Sequence, residues 1–442
     1  MLFSFLKYLQ PTHYFLSFTK AGHSIFPKVD ALPSNILSQL HQDDQYLSEE
    51  AKAYDVSWQA IQSGYIGEVA TYQKFVKLPL KDNYRFIRKN FHSVWVFYVF
   101  LCRILSFHNP FKECVAWLST RNVNQIKEVE NSIVYKDWDS FQSQLIEEKP
   151  LVSVIIPTLN RYEYLKDVLK DLEAQDYSNF EVIVVDQSDD FNEKFYKNFN
   201  LNFQIVNQKE KALWLARNTA IKTSKGDWVA LSEDDVRIGP DWISMHLKCL
   251  DFFNSKISAG VFYPEGQYIP KSRSFFAVAS QFATGNAMLH KTVFKNVGLF
   301  DRQFEKQRMG DGEFGMRLYL EGLKSISNPF ASCVDVKAGT GGLREMGSWD
   351  AFRPSNFLAP RPIPSVLYYF RRYFGNSSAR LALLRTVPIS IMPYQFKKNK
   401  PLLFVGLIVT ILILPIVVFQ VWKSWNLSSK KIKEGALIEV LT

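Results

Sequence analysis

The sequence predicts an α/β fold, with a mostly parallel β-sheet and flanking helices, between about residues 149 and 345. Short apolar runs, such as 152–156 and 180–185, alternate with stretches of helical spacing such as 162–174. Strands that alternate with helices in this way form parallel sheets with right-handed crossovers. Polar residues follow several of these runs directly, at the position where open α/β sheets bind ligands.

The composition is that of a folded protein with a basic excess. Of the 442 residues, 47% are hydrophobic and 22% are charged, and the formal net charge is +10. This balance excludes a largely disordered chain. Four cysteines without CxxC spacing indicate neither a disulfide framework nor a zinc site. Basic clusters lie beside apolar runs, at 85–89, 371–372 and 397–400, which favours a membrane surface over nucleic acid as a partner.

An acidic run stands at the centre of the predicted sheet. Residues 228–231 have the pattern of a buried strand, and Glu233, Asp234 and Asp235 follow at its carboxyl end. Adjacent carboxylates repel one another unless a cation lies between them. Such oxygen ligands suit Mg²⁺ or Mn²⁺ that also binds phosphate, so the run predicts a divalent-metal site. The alternative is an acidic turn that caps a helix starting near Pro240.

Two more polar residues follow earlier strands. Thr158 ends the first apolar run, and Asp186 ends the second. Because the loops after parallel strands share one edge of a sheet, we expect both residues near the acidic run. A carboxylate there can accept a hydrogen bond from a base N–H or a ribose hydroxyl. The alternative for Asp186 is an ordinary turn residue or helix cap.

Five motifs together resemble a known enzyme family. In chain order they are IIPTLNR, VIVVDQS, ARNTAI, SEDD and GDGEFGMRL. Their order and spacing resemble the family 2 glycosyltransferases of the GT-A fold, over roughly residues 151–344. The resemblance implies a Rossmann-like mixed sheet, a nucleotide-diphosphate sugar donor, a divalent metal (Mg²⁺ or Mn²⁺), and transfer with inversion at the anomeric carbon.

The resemblance also implies roles for particular residues. Asp235 stands at the last acid of the family's DXD-like motif and is implied to bind the metal. The first acid of that motif is here Glu233, where the family has Asp. The positions implied to bind the nucleotide sugar are Pro157, Thr158, Leu159, Asp186, Arg217, Glu233, Asp234, Gly285 and Asn286. For Gly285 and Asn286, which resemble an acceptor-side strand, a β-bulge is the alternative.

Asp311 matches the carboxylate that serves as catalytic base in that family. Gly310 precedes it where the family has an acid, Glu313 is a second candidate, and a helix N-cap is the alternative role of Asp311. Asp335 is a further possible metal ligand. The glycine-rich loop 339–344, with Arg344, is expected either to close over the diphosphate or to serve as a linker.

The rest of the chain divides into four expected regions. Residues 1–148 are mostly helical and contain an apolar stretch, 90–107, that predicts an interfacial or buried helix. Residues 346–400 are a connector with an amphipathic interfacial helix, and 424–442 are a basic tail. Residues 401–423 predict a transmembrane or re-entrant helix, because 402–422 contain no charge and are long enough to cross a bilayer.

These patterns predict a membrane-anchored inverting glycosyltransferase with its catalytic domain on the cytoplasmic face of the membrane. It would move a sugar from a nucleotide-diphosphate donor to a hydroxyl of a glycan or lipid-linked acceptor. Two alternatives remain open. One is a synthase that loads sugar onto a polyprenyl phosphate, which needs no base. The other is a catalytically silent membrane scaffold with the same fold.

Overall fold

The computed structural model describes residues 1–126, 132–338, 350–353, 356–393, 396 and 399–441. The chain forms two compact units. The first, here called the helical unit, comprises Met1–Ile133, Phe352–Pro362 and Leu367–Ser424. The second, the sheet unit, comprises Val134–Ala351, Ile363–Val366 and Trp425–Thr442. Residues 425–441, most of the expected basic tail, lie in the sheet unit.

The helices and strands were numbered in chain order. The α-helices are α1 Leu6–Leu9, α2 Ser34–Leu37, α3 Glu49–Gln62, α4 Leu80–Asn90, α5 Ser93–Leu105, α6 Pro110–Ser119, α7 Gln144–Glu148, α8 Tyr162–Glu173, α9 Glu193–Tyr196, α10 Leu213–Thr223, α11 Trp242–Phe252, α12 Thr292–Val297, α13 Gly310–Leu320, α14 Pro364–Thr386, α15 Lys400–Leu412 and α16 Leu414–Glu434. Short 3-10 helices are Tyr14–Leu16, Val29–Ala31, Lys271–Arg273, Arg302–Phe304, Asp350–Phe352 and Pro388–Ser390. The strands are β1 Val152–Thr158, β2 Phe180–Asp186, β3 Phe203–Asn207, β4 Trp228–Ser232, β5 Val236–Ile238, β6 Ile257–Pro264, β7 Ala277–Val278, β8 Asn286–His290 and β9 Ile326–Asp335.

The sheet is mixed, as expected, but it is less parallel than the sequence predicts. Its order is β3-β2-β1-β4-β8-β6-β9-β5, with β7 also paired to β9. Strands β1 to β4 are parallel neighbours, and β6 is parallel to β9. The pairs β4–β8, β6–β8, β5–β9 and β7–β9 are antiparallel.

Apolar residues of helix α8 pack on β1, and this packing fixes the position of the carboxyl edge of the sheet. All seven residues of β1 are buried, and Leu165, Val168 and Leu169 of α8 are buried in the same core cluster. At the other end of the strand, Gly226 passes the β1 backbone so closely that a Cβ would lie 2.4 Å from the Leu151 carbonyl oxygen. Burial of this kind is the main force that holds helices on a sheet.

The apolar C-terminal segment forms a bent pair of helices. Within the described residues, no single helix is long and apolar enough to cross a membrane. Helices α15 and α16 satisfy length and composition together, with a bend of 87° between them. The expected membrane helix is therefore present only as a broken pair, which a re-entrant segment also matches.

Candidate functional site

The parallel strands bring the predicted polar residues to one edge of the sheet. Thr158 and Asp186 end their strands opposite each other in the register of β1 and β2. The Thr158 hydroxyl donates to Asp234 Oδ2 over 2.7 Å, which ties the end of β1 to the acidic run after β4. Of the neighbouring predicted positions, Pro157 pairs with Val185, and Leu159 is buried at the start of the loop.

Arg161 lies between two carboxylates of the acidic run. Its Nη1 is 3.1 Å from Asp234 Oδ1 and 3.1 Å from Asp235 Oδ2. Burial raises the pKa of Asp234 to about 6, while the Arg161 charge lowers that pKa and the Asp235 charge raises it. Arg161 is the last residue of the IIPTLNR motif, but no role was predicted for it from the sequence. Its spacing after Thr158 was the available signal.

Glu233 projects beside a buried arginine and a glycine. Arg217 on α10 is fully buried, and its guanidinium lies 3.7 Å from Glu233 Oε1. At Gly285, a Cβ would lie 3.1 Å from Glu233 Cδ and 3.0 Å from the Phe262 ring, so a larger residue would crowd the acid. The structure therefore brings Arg217, Glu233 and Gly285 together at this edge, and their contact with a donor stays a prediction.

Asp335 joins the carboxylates at this edge. Burial raises the pKa of Asp335, and the negative charges of Asp235 and Glu233 raise it further. The segment after β9 contacts Asp235, because the Ala338 N–H donates to Asp235 Oδ2 over 3.2 Å and the Val336 N–H donates to its carbonyl over 3.1 Å. In the part of the chain that the structure describes, no ready-made cluster of three or more His, Cys, Asp or Glu ligands is found. The loop 339–344 lies outside the described residues.

Asp186 is more enclosed than a base-contacting residue is expected to be. Its Oδ2 accepts from the Tyr162 hydroxyl over 2.6 Å and from the Tyr196 hydroxyl over 2.7 Å. Its Oδ1 accepts from the Ser188 N–H over 2.9 Å. The carboxylate therefore orders the loop after β2. The two tyrosine partners of Asp186 were not predicted from the sequence.

Asn286 lies inside the sheet unit rather than at its surface. Its Oδ1 accepts from Trp242 Nε1 over 2.8 Å and from His246 Nε2 over 3.0 Å. Its Nδ2 donates to the carbonyls of Val261 and Ala331, at 3.3 Å and 2.8 Å. Because these bonds engage both groups of its amide within the protein, we correct the predicted ligand contact of Asn286 to a structural role.

Asp311 lies in the first turn of α13 and is half-buried. The preceding Gly310 packs so closely on Trp214 that a Cβ would lie 2.2 Å from the indole, so an acid does not fit at this position. Glu313 is fully buried and forms two hydrogen bonds with Arg317, of 2.9 Å and 3.0 Å. Of the two candidate bases, only Asp311 is outside such a buried ion pair.

Comparisons with known proteins agree on one family. The model described as Glycosyl transferase family 2 matches residues 153–298. Glycosyltransferase GlyA of Streptococcus pneumoniae is 27% identical over 169 residues, which are 37% of this chain and 23% of that protein. The putative glycosyltransferase EpsH of Bacillus subtilis is 30% identical over 106 residues, which are 23% of this chain and 30% of that protein. The match thus spans less than a third of either relative.

Two solved structures resemble this chain at low sequence identity. The mannosyltransferase PcManGT from Pyrobaculum calidifontis, in complex with GDP-Man and Mn²⁺, is 18% identical with a TM-score of 0.43, covering 67% of this chain and 91% of that chain. S. aureus TarS 1–349 in complex with UDP-GlcNAc is 17% identical with a TM-score of 0.40, covering 64% of this chain and 92% of that chain.

Proposed function

We propose that this chain, whose residues 153–298 match the model described as Glycosyl transferase family 2, transfers a sugar from a nucleotide-diphosphate donor to an acceptor hydroxyl, with inversion. The observation that carries the proposal is the group of carboxylates at the carboxyl edge of the sheet. Thr158, Arg161, Asp234 and Asp235 are joined there by hydrogen bonds and ion pairs. Ligands of open α/β sheets bind at this edge.

We propose that Asp235 holds a divalent cation, with Asp335 as a second oxygen ligand. Burial raises the pKa of Asp335, and the negative charges of Asp235 and Glu233 raise it further, a repulsion that a bound cation would relieve. Mg²⁺ commonly binds one or two carboxylates together with substrate phosphates, so the absence of a three-residue cluster among the described residues is compatible with this site. When bound, Mg²⁺ or Mn²⁺ would neutralise charge on the donor diphosphate and on the departing nucleotide.

Arg161 gives this site a cation of its own. Its guanidinium is within hydrogen-bonding distance of both Asp234 and Asp235, and Thr158 donates to Asp234 from the opposite strand. Together they hold Asp234 in place and limit the repulsion between the two acids. The resulting arrangement keeps the Asp235 carboxylate at the edge of the sheet, where a donor diphosphate would bind.

We propose Asp311 as the general base. A sugar hydroxyl is a weak nucleophile at neutral pH, so its attack on the anomeric carbon is assisted by removal of its proton. Asp311 lies in the first turn of α13 and is partly accessible, whereas Glu313 in the same turn is paired with Arg317. The Asp311 carboxylate would accept the proton as the hydroxyl oxygen attacks from the face opposite the leaving nucleotide.

We propose a glycan or lipid-linked acceptor and a membrane location. The bent pair α15–α16 has the length and composition of a membrane segment, and exposes Phe404, Ile408 and Ile411 among other apolar residues. We place the sheet unit on the cytoplasmic face, because nucleotide sugars are made in the cytoplasm. This anchoring would keep the site close to an acceptor carried by a lipid.

Calorimetric titration of nucleotides in the presence of Mn²⁺ tests the donor site. Asp235→Asn keeps the shape of the side chain but removes a charge and a strong oxygen ligand. We expect it to weaken binding of UDP or GDP far more than binding of uridine or guanosine. Asp241→Asn is the matched control, because Asp241 is exposed and lies outside the acidic run. Equal diphosphate affinity in wild type and Asp235→Asn would rule out the assignment.

A further inference from the structure

Helix α5 carries an apolar stripe on its exposed side. Val94, Phe97, Leu101 and Leu105 recur at helical spacing, and each is 42–77% exposed. The opposite side of the helix, with Val96 and Val99, is buried in the helical unit. Helix α5 is therefore apolar all round, although one of its faces has no covering from the described chain.

The turn after α5 and the helix α6 continue this apolar surface. Phe107, in the turn, is 98% exposed, and Phe111, Val115 and Leu118 on α6 are 81%, 68% and 52% exposed. The two helices form one hairpin, because the Phe100 ring on α5 packs on Trp117 of α6, with ring centroids 5.4 Å apart. We call residues 93–119 the α5–α6 hairpin.

The hairpin buries one pair of charged residues beneath its exposed apolar surface. Arg103 on α5 donates twice to Glu113 Oε1, over 2.8 Å and 2.6 Å, and both residues are buried. Tyr84 donates to the other Glu113 oxygen over 2.7 Å. Glu113 is the only acid between residues 91 and 126, and the exposed charged residues there are the cations Lys112 and Arg121. Ionisable groups that pair inside a bundle, under an apolar exterior, are typical of surfaces that face lipid.

We propose that the α5–α6 hairpin inserts its exposed apolar face into an anionic membrane, as a contact separate from α15–α16. An exposed apolar surface whose own exposed charged residues, Lys112 and Arg121, are cations is complementary to anionic lipid, whereas a soluble protein partner would normally be matched by polar residues around the rim. Helix α5 has 13 residues and is about 20 Å long. This is shorter than the roughly 30 Å hydrocarbon core, so the hairpin would lie in one leaflet and its interface.

The α5–α6 hairpin lies in the same helical unit as α15, which is part of the membrane segment proposed above. The Arg385 guanidinium at the end of α14 lies over the Trp95 ring of α5, 4.8 Å from its centroid. The Thr410 hydroxyl of α15 donates to the Pro388 carbonyl over 2.9 Å. The hairpin and α15 thus belong to one packed set of helices. The proposal does not depend on glycosyl transfer, so its test is independent of the donor-binding experiment.

The natural cysteines provide the probe for this contact. Cys114 on α6 is exposed, and Cys102, Cys249 and Cys333 are buried, so a thiol-reactive, environment-sensitive dye would label Cys114 in the full chain. The labelled protein would be reconstituted into vesicles of phosphatidylcholine and phosphatidylglycerol. We expect a blue-shifted emission and quenching by spin-labelled lipids. For the double variant Phe107→Ser with Phe111→Ser, we expect most of the quenching to be lost.

Two controls separate the hairpin from general membrane attachment. Leu47→Ser with Val76→Ser changes two exposed apolar residues of the same unit outside the hairpin, and should leave the Cys114 signal unchanged. A dye attached at Val76→Cys in a Cys114→Ser background should show the emission of a water-exposed dye and no quenching by the spin-labelled lipids. The proposal fails if the Cys114 dye of membrane-bound protein also reports water. It equally fails if the blue shift needs no vesicles and grows with protein concentration, because a second copy would then cover the surface.

Discussion

At the scale of single residues, Asp311 is the sharpest prediction. Asp311→Asn keeps the size of the side chain, and the N-cap position of α13 is occupied by Met309, not by Asp311. Fold and donor affinity should therefore persist, while turnover at saturating donor falls by about 10²–10⁴-fold, the usual contribution of a general base. The measurement combines steady-state turnover with donor affinity and melting temperature.

The control for this prediction is Glu313→Gln, whose effect should be on stability. This change removes the charge that balances the buried Arg317, so we expect a lower melting temperature. Turnover of the folded fraction should change less than in Asp311→Asn. Wild-type turnover in Asp311→Asn would reject the base and favour an acceptor that is already anionic, such as a polyprenyl phosphate.

His246 should make the stability of the sheet unit depend on pH. Burial lowers the pKa of His246 to about 4, whereas an unfolded histidine titrates near 6.5. Between these values the unfolded state binds the proton more readily, so stability present above about pH 6.5 is lost as the pH falls towards 4. We expect a loss of about 2 kcal/mol at pH 5 relative to neutral pH, from this residue alone.

Thermal unfolding at pH 5 and pH 7 measures this effect. His246→Gln keeps a polar side chain that can bond to Asn286 but cannot titrate. The difference in melting temperature between the two pH values should therefore shrink in the variant, even if its overall stability is lower. An unchanged difference would mean that other groups cause the pH dependence.

At the scale of elements, the segment 435–441 supports the helix that carries Asp311. The Leu299 N–H donates to the Glu439 carbonyl over 2.8 Å, and the Leu437 N–H donates to Asp301 Oδ1 over 2.9 Å. The Arg317 side chain of α13 in turn donates to the Leu299 carbonyl over 2.8 Å. The segment is thus joined to α13 through residues 297–299, and its mostly apolar composition, GALIEVL, fits this packing role.

Deletion of residues 435–442 should therefore lower the melting temperature of the sheet unit and reduce turnover. We expect the loss because the Leu299 N–H, the Asp301 carboxylate and Gly298 would lose the contacts that the segment provides. Calorimetric melting and turnover measure the two effects. Lys430→Ser with Lys433→Ser, which leaves these bonds in place, is the control. A deletion variant that melts and turns over like the intact chain would contradict the support role.

At the scale of the whole molecule, membrane attachment by α15–α16 is the prediction to test. Ile408 and Ile411 are 45% and 65% exposed, so Ile408→Asp with Ile411→Asp should preserve packing while making burial in lipid unfavourable. The unchanged chain should need detergent for extraction from membranes, whereas the variant should be released by high salt. Ser substitutions at the same two positions serve as the milder control. Extraction of the unchanged chain by salt alone would exclude a stable anchor.

The sequence predicted which residues lie at the carboxyl edge of the sheet better than it predicted the buried hydrogen-bond partners of those residues. Thr158 and the acidic run were expected together because parallel strands end at one edge, and the Thr158–Asp234 hydrogen bond shows this placement. Asn286 could not be placed in this way, because its burial depends on Trp242 and His246 from a distant helix. A mixed sheet was expected, but which strands are antiparallel was not predicted, since apolar runs of this length do not reveal strand direction.

The division of the chain has a consequence for its synthesis. Residues 367–424 belong to the helical unit, whereas residues 425–441 return to the sheet unit. Domains generally fold as units while the chain emerges, the N-terminal parts first. Here the strands of the sheet unit leave the ribosome well before the segment 435–441 that packs on residues 298–303. We therefore expect the nascent sheet unit to stay incomplete until α15 and α16 have emerged, so that membrane docking of α15–α16 can precede completion of the site.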